Sequence, residues 1–292
     1  MIEKKTLLTI ADLCVTFPSP RGDICAVNNV SFSMGREKIG IVGESGSGKS
    51  VTGRAVLRLL PSYAGVRASQ ISFKGKNLLD FTEKQMRKIR GQQISMVMQD
   101  PKYSLNPVRT VGDQIREAYT IHHKAGKKEA RQKTLDMLKA VRIRNPEQVY
   151  GLYPHEVSGG MGQRIMIAMM LIPDPSLLIA DEPTSALDVT VQLQVLAILD
   201  DLVADRGMGL IFISHDLELV SSFCDRVIIM YGGQIMEVVD AGDLHKSSHP
   251  YTKGLLACLP KIDGSRDRLP TLVRDDAWLK PVQEPVNGGV VS

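Results

Sequence analysis

The chain has 292 residues, with 36 Lys and Arg against 32 Asp and Glu for a formal charge of +4, and 43% of its residues are apolar. That length fills one large domain or two small ones, and a charged fraction of 23% with 5% aromatics excludes a disordered chain. No apolar run approaches the ~20 residues that span a bilayer, MIEKKTLLTI lacks the apolar core of a secretory signal, and Cys14, Cys25, Cys224 and Cys258 make no CxxC or zinc spacing, so a spanning chain and a secreted disulfide scaffold are excluded.

In chain order, Val30-Ser31-Phe32-Ser33-Met34 alternates with the period of a half-buried strand. Lys38-Ile39-Gly40-Ile41-Val42 is a short apolar strand that runs into a glycine-rich turn. After Lys49 the pattern turns helical, with Val51, Ala55, Val56 and Leu59 on one stripe. Strand, glycine loop and helix make the first unit of an α/β fold. From about residue 81 to 170 the texture is helical and polar, an all-α insertion whose Lys124, Lys127, Lys128, Arg131 and Lys133 read as a solvated face. A buried strand follows at Leu177-Leu178-Ile179-Ala180. Next comes a helix with Val195, Leu196, Leu199, Leu202 and Val203 inward, stopped at Arg206-Gly207. Gly209 to Ser214 is a further buried strand. Val227–Met230 and Gln234–Val238 form a hairpin about Tyr231-Gly232-Gly233. Residues 1–260 read as one domain, and the polar, proline-bearing residues 261–292 as a short, loosely packed tail.

Gly43-Glu44-Ser45-Gly46-Ser47-Gly48-Lys49-Ser50 matches the phosphate-binding pattern GxxxxGK[ST] in full, between a strand and a helix. Such glycines let backbone N–H groups curl round a phosphate, and the helix N-terminus adds its partial positive charge. Lys49 is placed to reach the β- and γ-phosphates and the Ser50 hydroxyl to ligate Mg²⁺. The apolar strand ending in Asp181-Glu182 supplies the acidic complement: Asp181 for the metal, Glu182 to orient and polarise an attacking water.

Val157-Ser158-Gly159-Gly160-Met161-Gly162-Gln163-Arg164 then opens a second helix with a serine and two glycines, an anion site that one nucleotide in one chain does not need. At its short spacing ahead of Asp181, it resembles the signature of ATP-binding-cassette (ABC) ATPases. The resemblance spans about residues 7–260. It implies a P-loop NTPase α/β fold with a RecA-like α/β core, an antiparallel β subdomain and an α-helical signature subdomain. It also implies ATP and Mg²⁺ as ligands. Nucleotide contacts fall on Gly43, Glu44, Ser45, Gly46, Ser47, Gly48, Lys49, Ser50 and Val51, with Phe17 stacked on adenine. Ser158, Gly159 and Gly160 are implied to bind the γ-phosphate held by a partner subunit. Gln99, in Val97-Met98-Gln99-Asp100-Pro101, matches the Q-loop glutamine, a metal and water sensor. Ser185-Ala186-Leu187-Asp188 matches the D-loop, and His215 in Ile213-Ser214-His215-Asp216 matches the H-loop histidine on the γ-phosphate.

Several details resemble the ATPase subunits of bacterial oligopeptide, dipeptide and nickel importers. They are Met161 within the signature, Ser104-Leu105-Asn106-Pro107 after the Q-loop, Ala180-Asp181-Glu182-Pro183-Thr184, and His249-Pro250-Tyr251-Thr252. That branch implies an ATPase motor on the cytoplasmic face of the bacterial inner membrane, working with two transmembrane permease subunits. It further implies a second ABC ATPase, in a heterodimer before a homodimer, and indirectly an extracytoplasmic substrate-binding protein. Longer relatives carry a cysteine-bearing extension that in some holds an iron–sulfur cluster. No cysteine follows Cys258, so no cluster is expected. The alternatives are an ABC exporter ATPase or a non-transport ABC ATPase of DNA repair or the ribosome. The gap from Gln99 to Ser158 is too short for coiled-coil arms, the chain has one set of motifs, and no basic stripe suits nucleic acid. Met96, Met98, Met166, Met169 and Met170 read as core packing, and His122-His123 as exposed polar surface rather than a metal site.

Overall fold

The computed structural model describes residues 6–98, 104–185, 187–259 and 275–281, the side chain of residue 276 excepted. They fall into two compact units, Met1–Asp80 with Ile211–Ser292, and Phe81–Leu210.

In the first unit, β1 (Leu8–Phe17) pairs antiparallel with β2 (Ile24–Met34), from Leu8 opposite Met34 to Phe17 opposite Ile24. Leu8, Ile10, Leu13 and Val15 are buried on one strand and Val27, Val30 and Met34 on the other, the alternation shifting phase between Ile10 and Leu13, where the register slips and Asp12 takes φ 54°. The free edge of β1 takes β4 (Gly65–Arg67) and β5 (Gln70–Phe73), and β6 (Lys76–Asn77) closes on β5, all antiparallel. A second layer holds β3 (Lys38–Val42), parallel to β10 (Arg226–Tyr231), which pairs antiparallel with β11 (Gln234–Asp240). On its other side β3 neighbours β9 (Gly209–Ser214). Gly232 at φ 53° and Gly233 at φ 81° make the tight β10–β11 turn, where both central residues need positive φ. Helix α1 (Lys49–Val56) follows β3 and buries Ala55 and Val56. Its stripe ends sooner than the periodicity suggests. Arg58 turns to φ 50°, so Leu57 is buried and Leu59 stands 47% exposed.

Helix α8 (Leu217–Phe223) is capped by Asp216, whose carboxylate accepts from the Leu219 N–H at 2.9 Å. Burial pushes the Cys224 thiol beyond it up to about 12, so this cysteine is an inert core group. Helix α9 (Pro250–Ala257) is led in by a loop that Glu237 of β11 holds, accepting from the Ser248 N–H at 2.8 Å and its hydroxyl at 3.2 Å. Burial pushes the Glu237 carboxyl up, yet the Thr252 hydroxyl, the Ser248 and His249 N–H groups and the Ser248 hydroxyl together win and hold it below its ordinary 4.5. A depressed folded value stabilises only the ionised form. The contribution is therefore complete above about pH 4.5 and lost as pH falls through the lower folded value. Glu237→Gln should melt below the wild type at neutral pH, with the gap in melting temperature closing on acidification below that point. A gap that is constant down to pH 3 would overturn the clamp.

In the second unit, α2 (Glu83–Ile89) starts at a capping box of Thr82 and Gln85. β7 (Ile94–Val97) runs parallel to β8 (Leu177–Asp181), Ile94 opposite Leu177 and Val97 opposite Ala180. Helices α3 (Val111–His122), α4 (Lys127–Ala140), α5 (Pro146–Tyr150), α6 (Gly159–Leu171) and α7 (Val189–Arg206) complete it. β7 departs from the all-helical reading of this stretch: its four residues are buried on both faces, so no alternation betrays them. Helix α7 ends where expected, at Gly207 with φ 53°. Helix α6 is not a one-stripe helix, since Ile165, Met166, Ile167 and Ala168 are all buried and Met169 only half so. Two expectations are corrected here. Met98 is 37% exposed rather than in the core. His122 and His123 are half-buried, His123 stacking on Tyr119 at 4.6 Å and bonding the Pro173 carbonyl at 3.2 Å. The basic cluster of α4 is exposed, and Arg131 pairs with Glu147 at 2.8 Å. Among the described residues no helix is long and apolar enough to cross a membrane.

Candidate functional site

The phosphate loop links β3 to α1 because the sequence leaves it no other conformation. Gly43 (φ 156°), Gly46 (φ 81°) and Gly48 (φ 92°) take backbone angles that side chains disfavour. At Gly43 the reason is also space, since a Cβ would lie 2.0 Å from the Met230 carbonyl oxygen of β10. Gly43→Ala must push the loop off β10, at a cost of about 1–3 kcal/mol typical of overpacking. Thermal unfolding of that variant should begin lower and its nucleotide binding weaken, whereas unfolding like the wild type would refute this close fit. Gly46 is the opposite case: nothing lies within 4 Å of the position its Cβ would take, and the loop is exposed there. Lys49 is buried and folds back, its Nζ donating to the Gly43 carbonyl at 2.7 Å, the Glu44 carbonyl at 2.8 Å and Ser47 Oγ at 3.4 Å. A cation held at the hollow of a glycine loop, with a helix N-terminus beneath it, fits a polyphosphate chain.

His215 follows the last residue of β9 and is exposed, and the next turn is fixed by the Ser214 hydroxyl accepting from the Asp216 N–H at 3.1 Å. It faces a cavity of about 770 Å³ that Gly43, Glu44, Ser45, Asp216 and Cys258 also line. The first unit thus brings His215 and the phosphate loop to one cavity. Phe17, at the end of β1, is half-buried with its ring edge-on to Tyr63 at 6.4 Å.

In the second unit Asp181 closes β8 and is 2% exposed, while Glu182 beyond it is half-buried at φ 50°. A non-glycine residue in the left-handed region carries strain that its surroundings must hold. Here the Ser185 hydroxyl donates to the Glu182 carbonyl at 3.2 Å. Ser158 caps α6, its Oγ accepting from the Met161 N–H at 3.4 Å, and Ser158 and Gly159 are exposed. No acidic residue sits in the first turn of α6, which leaves the positive end of the helix open to an anion. Gly160 has a packing reason as well: a Cβ there would lie 2.7 Å from Val191 of α7.

Gln99 lies outside the described residues. The sequence reading missed two others. Gln163 of α6, 1% exposed, donates its Nε2 to the Pro183 carbonyl, tying the serine–glycine helix to the turn after Glu182. Its place within Ser-Gly-Gly-Met-Gly-Gln was the available signal. Tyr251 of α9, fully buried, accepts at its hydroxyl from the Glu44 N–H at 3.4 Å, and nothing in local sequence links positions so far apart.

The family model described as ABC transporter matches residues 27–185. The chain is 48% identical over 270 residues to a probable peptide ABC transporter ATP-binding protein of Sinorhizobium fredii, covering 91% of this chain and 81% of the relative. It is 45% identical over 268 residues to the oligopeptide transport ATP-binding protein OppD of Escherichia coli, covering 91% and 79%. Among solved structures it resembles the dimeric bacterial ABC transporter cassette MJ0796, with a TM-score of 0.71 at 24% identity over 80% of this chain and 99% of that one. The fold is that of ABC ATPase cassettes. The same cassette has also been solved in a post-hydrolysis state with ADP and Pi, with a TM-score of 0.69.

Proposed function

Since the chain belongs to the ABC transporter family, and is as such an ATPase coupled to transport, we propose that it is the motor subunit of a bacterial peptide importer. The observation that supports this best is the identity of 45–48% over 91% of the chain to proteins named for peptide and oligopeptide transport. Peptides stand ahead of nickel chelates as cargo on the same ground.

In this reading ATP lies on the phosphate loop with Phe17 against adenine, and residues 43–51 along the phosphates. Lys49 releases the Gly43 and Glu44 carbonyls to meet the β- and γ-phosphates. Ser50, Asp181 and Gln99 would hold Mg²⁺, which would supply charge neutralisation for phosphoryl transfer. Glu182 orients and deprotonates the attacking water, and His215 hydrogen-bonds the γ-phosphate. Ser158, Gly159 and Gly160 cap the γ-phosphate of a partner ATPase, so two chains share two sites. The domain reading is the ATPase over residues 1–260 with its helical insertion at 81–170. Two permease subunits cross the membrane and this chain works at their cytoplasmic face, with a second, non-identical ATPase and, indirectly, an extracytoplasmic binding protein.

The test is reconstitution of the chain with its co-purifying membrane subunits in proteoliposomes. ATP hydrolysis should rise on adding the binding protein loaded with peptide. Turnover indifferent to a loaded binding protein, or a chain that co-purifies with no membrane subunit, would overturn the importer reading.

A further inference from the structure

The residues after 260 read as a loosely packed tail, yet residues 275–281 are docked on the first unit. The ring of Trp278 lies 5.9 Å from Tyr231, 5.8 Å from Tyr251 and 6.0 Å from His249, edge-on or tilted to each. Tyr231 and Tyr251 themselves meet at 4.7 Å. Beside Trp278, Leu279 covers the β10–β11 turn so closely that a Cβ on Gly232 would lie 2.6 Å from its methyl carbon. Gln234 then grips the backbone on both sides of Lys280, donating to its carbonyl at 2.8 Å and accepting from its N–H at 3.1 Å.

What this segment grips is the structure behind the phosphate loop. The Met230 carbonyl of the gripped hairpin backs Gly43, and Gly233 lies 3.4 Å from the position a Cβ would take on Gly48. The Tyr251 hydroxyl accepts from the Glu44 N–H while Lys49 Nζ holds the carbonyl of the same residue at 2.8 Å. Glu44 is therefore held at both ends, its carbonyl also accepting from the Ser47 N–H at 3.2 Å, and the hold of Tyr251 on its N–H is one that a phosphate drawing Lys49 away does not remove.

We propose that residues 275–281 are a clasp that positions the phosphate loop for nucleotide, with Trp278 seating Tyr251 against Glu44 and Leu279 seating the hairpin against Gly43 and Gly48. Tyr251 and Trp278 are positioning residues: they act on nucleotide through the loop. The inference rests on the reading of that loop as the nucleotide site.

Trp278 is the one tryptophan of the chain, so its emission reports the clasp directly. In the full-length protein, titration with MgADP should change Trp278 fluorescence with a midpoint equal to the Kd from equilibrium dialysis, and Lys49→Ala should abolish the change. Tyr251→Phe keeps the ring and removes only the hydroxyl. It should weaken MgADP binding about three- to tenfold, the scale of one neutral hydrogen bond, and lower the melting temperature of the unliganded chain by no more than the loss of that one bond accounts for. Trp278→Ala should lose affinity similarly and Trp278→Phe should restore it. Wild-type affinity in both Tyr251→Phe and Trp278→Ala overturns the clasp alone. So does an affinity loss that appears only at temperatures where part of the unliganded chain is already unfolded, which marks general destabilisation. A wild-type chain that binds no MgADP overturns the nucleotide site and the clasp with it.

Discussion

Glu182→Gln should bind ATP as the wild type does and hydrolyse it at least ~100-fold more slowly, about 2.7 kcal/mol of barrier. The substitution is informative because it changes one property. Glu182 holds φ 50° at the end of β8, and glutamine, equal in size, meets the same backbone demand. The buried Asp181 beside it is untouched, so the acidic group assigned to the metal survives. Only a carboxylate able to take a proton from water is lost. Nucleotide affinity by equilibrium dialysis and phosphate release in steady state separate the two effects. Hydrolysis near the wild-type rate would end the assignment of Glu182 as base. Lost affinity would assign it instead to binding.

The parts of this site that the sequence discloses are those where chemistry is written into a contiguous stretch. The phosphate loop is legible because Gly43, Gly46 and Gly48 stand where the backbone needs angles other residues avoid, and Lys49 has one place to reach. Strand β2 is legible because one face is buried and the other is not. β7 is hidden for the converse reason, since burial on both faces erases the alternation and four residues carry no other period. Leu59 misleads because α1 stops at Val56 and the left-handed Arg58 turns the chain before the next repeat. The hold of Tyr251 on Glu44 and the seat of Trp278 are contacts between residues remote in sequence. Neither residue type nor spacing announces them, and a polar, proline-bearing stretch reads as tail until its lone tryptophan is seen among three other rings.

Ser158→Asp should leave the folded chain and its binding of ATP intact and still lower turnover at least ~100-fold, the scale of losing a preorganised donor to a developing charge. Aspartate caps a helix as well as serine does, so the N–H of Met161 keeps an acceptor and α6 keeps its stability. What changes is the sign of the exposed helix terminus. A carboxylate beside Gly159 and Gly160 repels the γ-phosphate that this end is proposed to receive from a second chain. Each chain's own phosphate loop is unaltered, which is why binding at low protein concentration should not move. The same composite geometry makes turnover per chain of the wild type rise with protein concentration until the dimer is filled, or on adding the partner ATPase. Phosphate release measured across a hundredfold dilution, for the wild type and for Ser158→Asp, reads both effects. If the variant turned over like the wild type, or if turnover per chain were flat with dilution and indifferent to a partner, the site would be complete within one chain and the shared arrangement would fall.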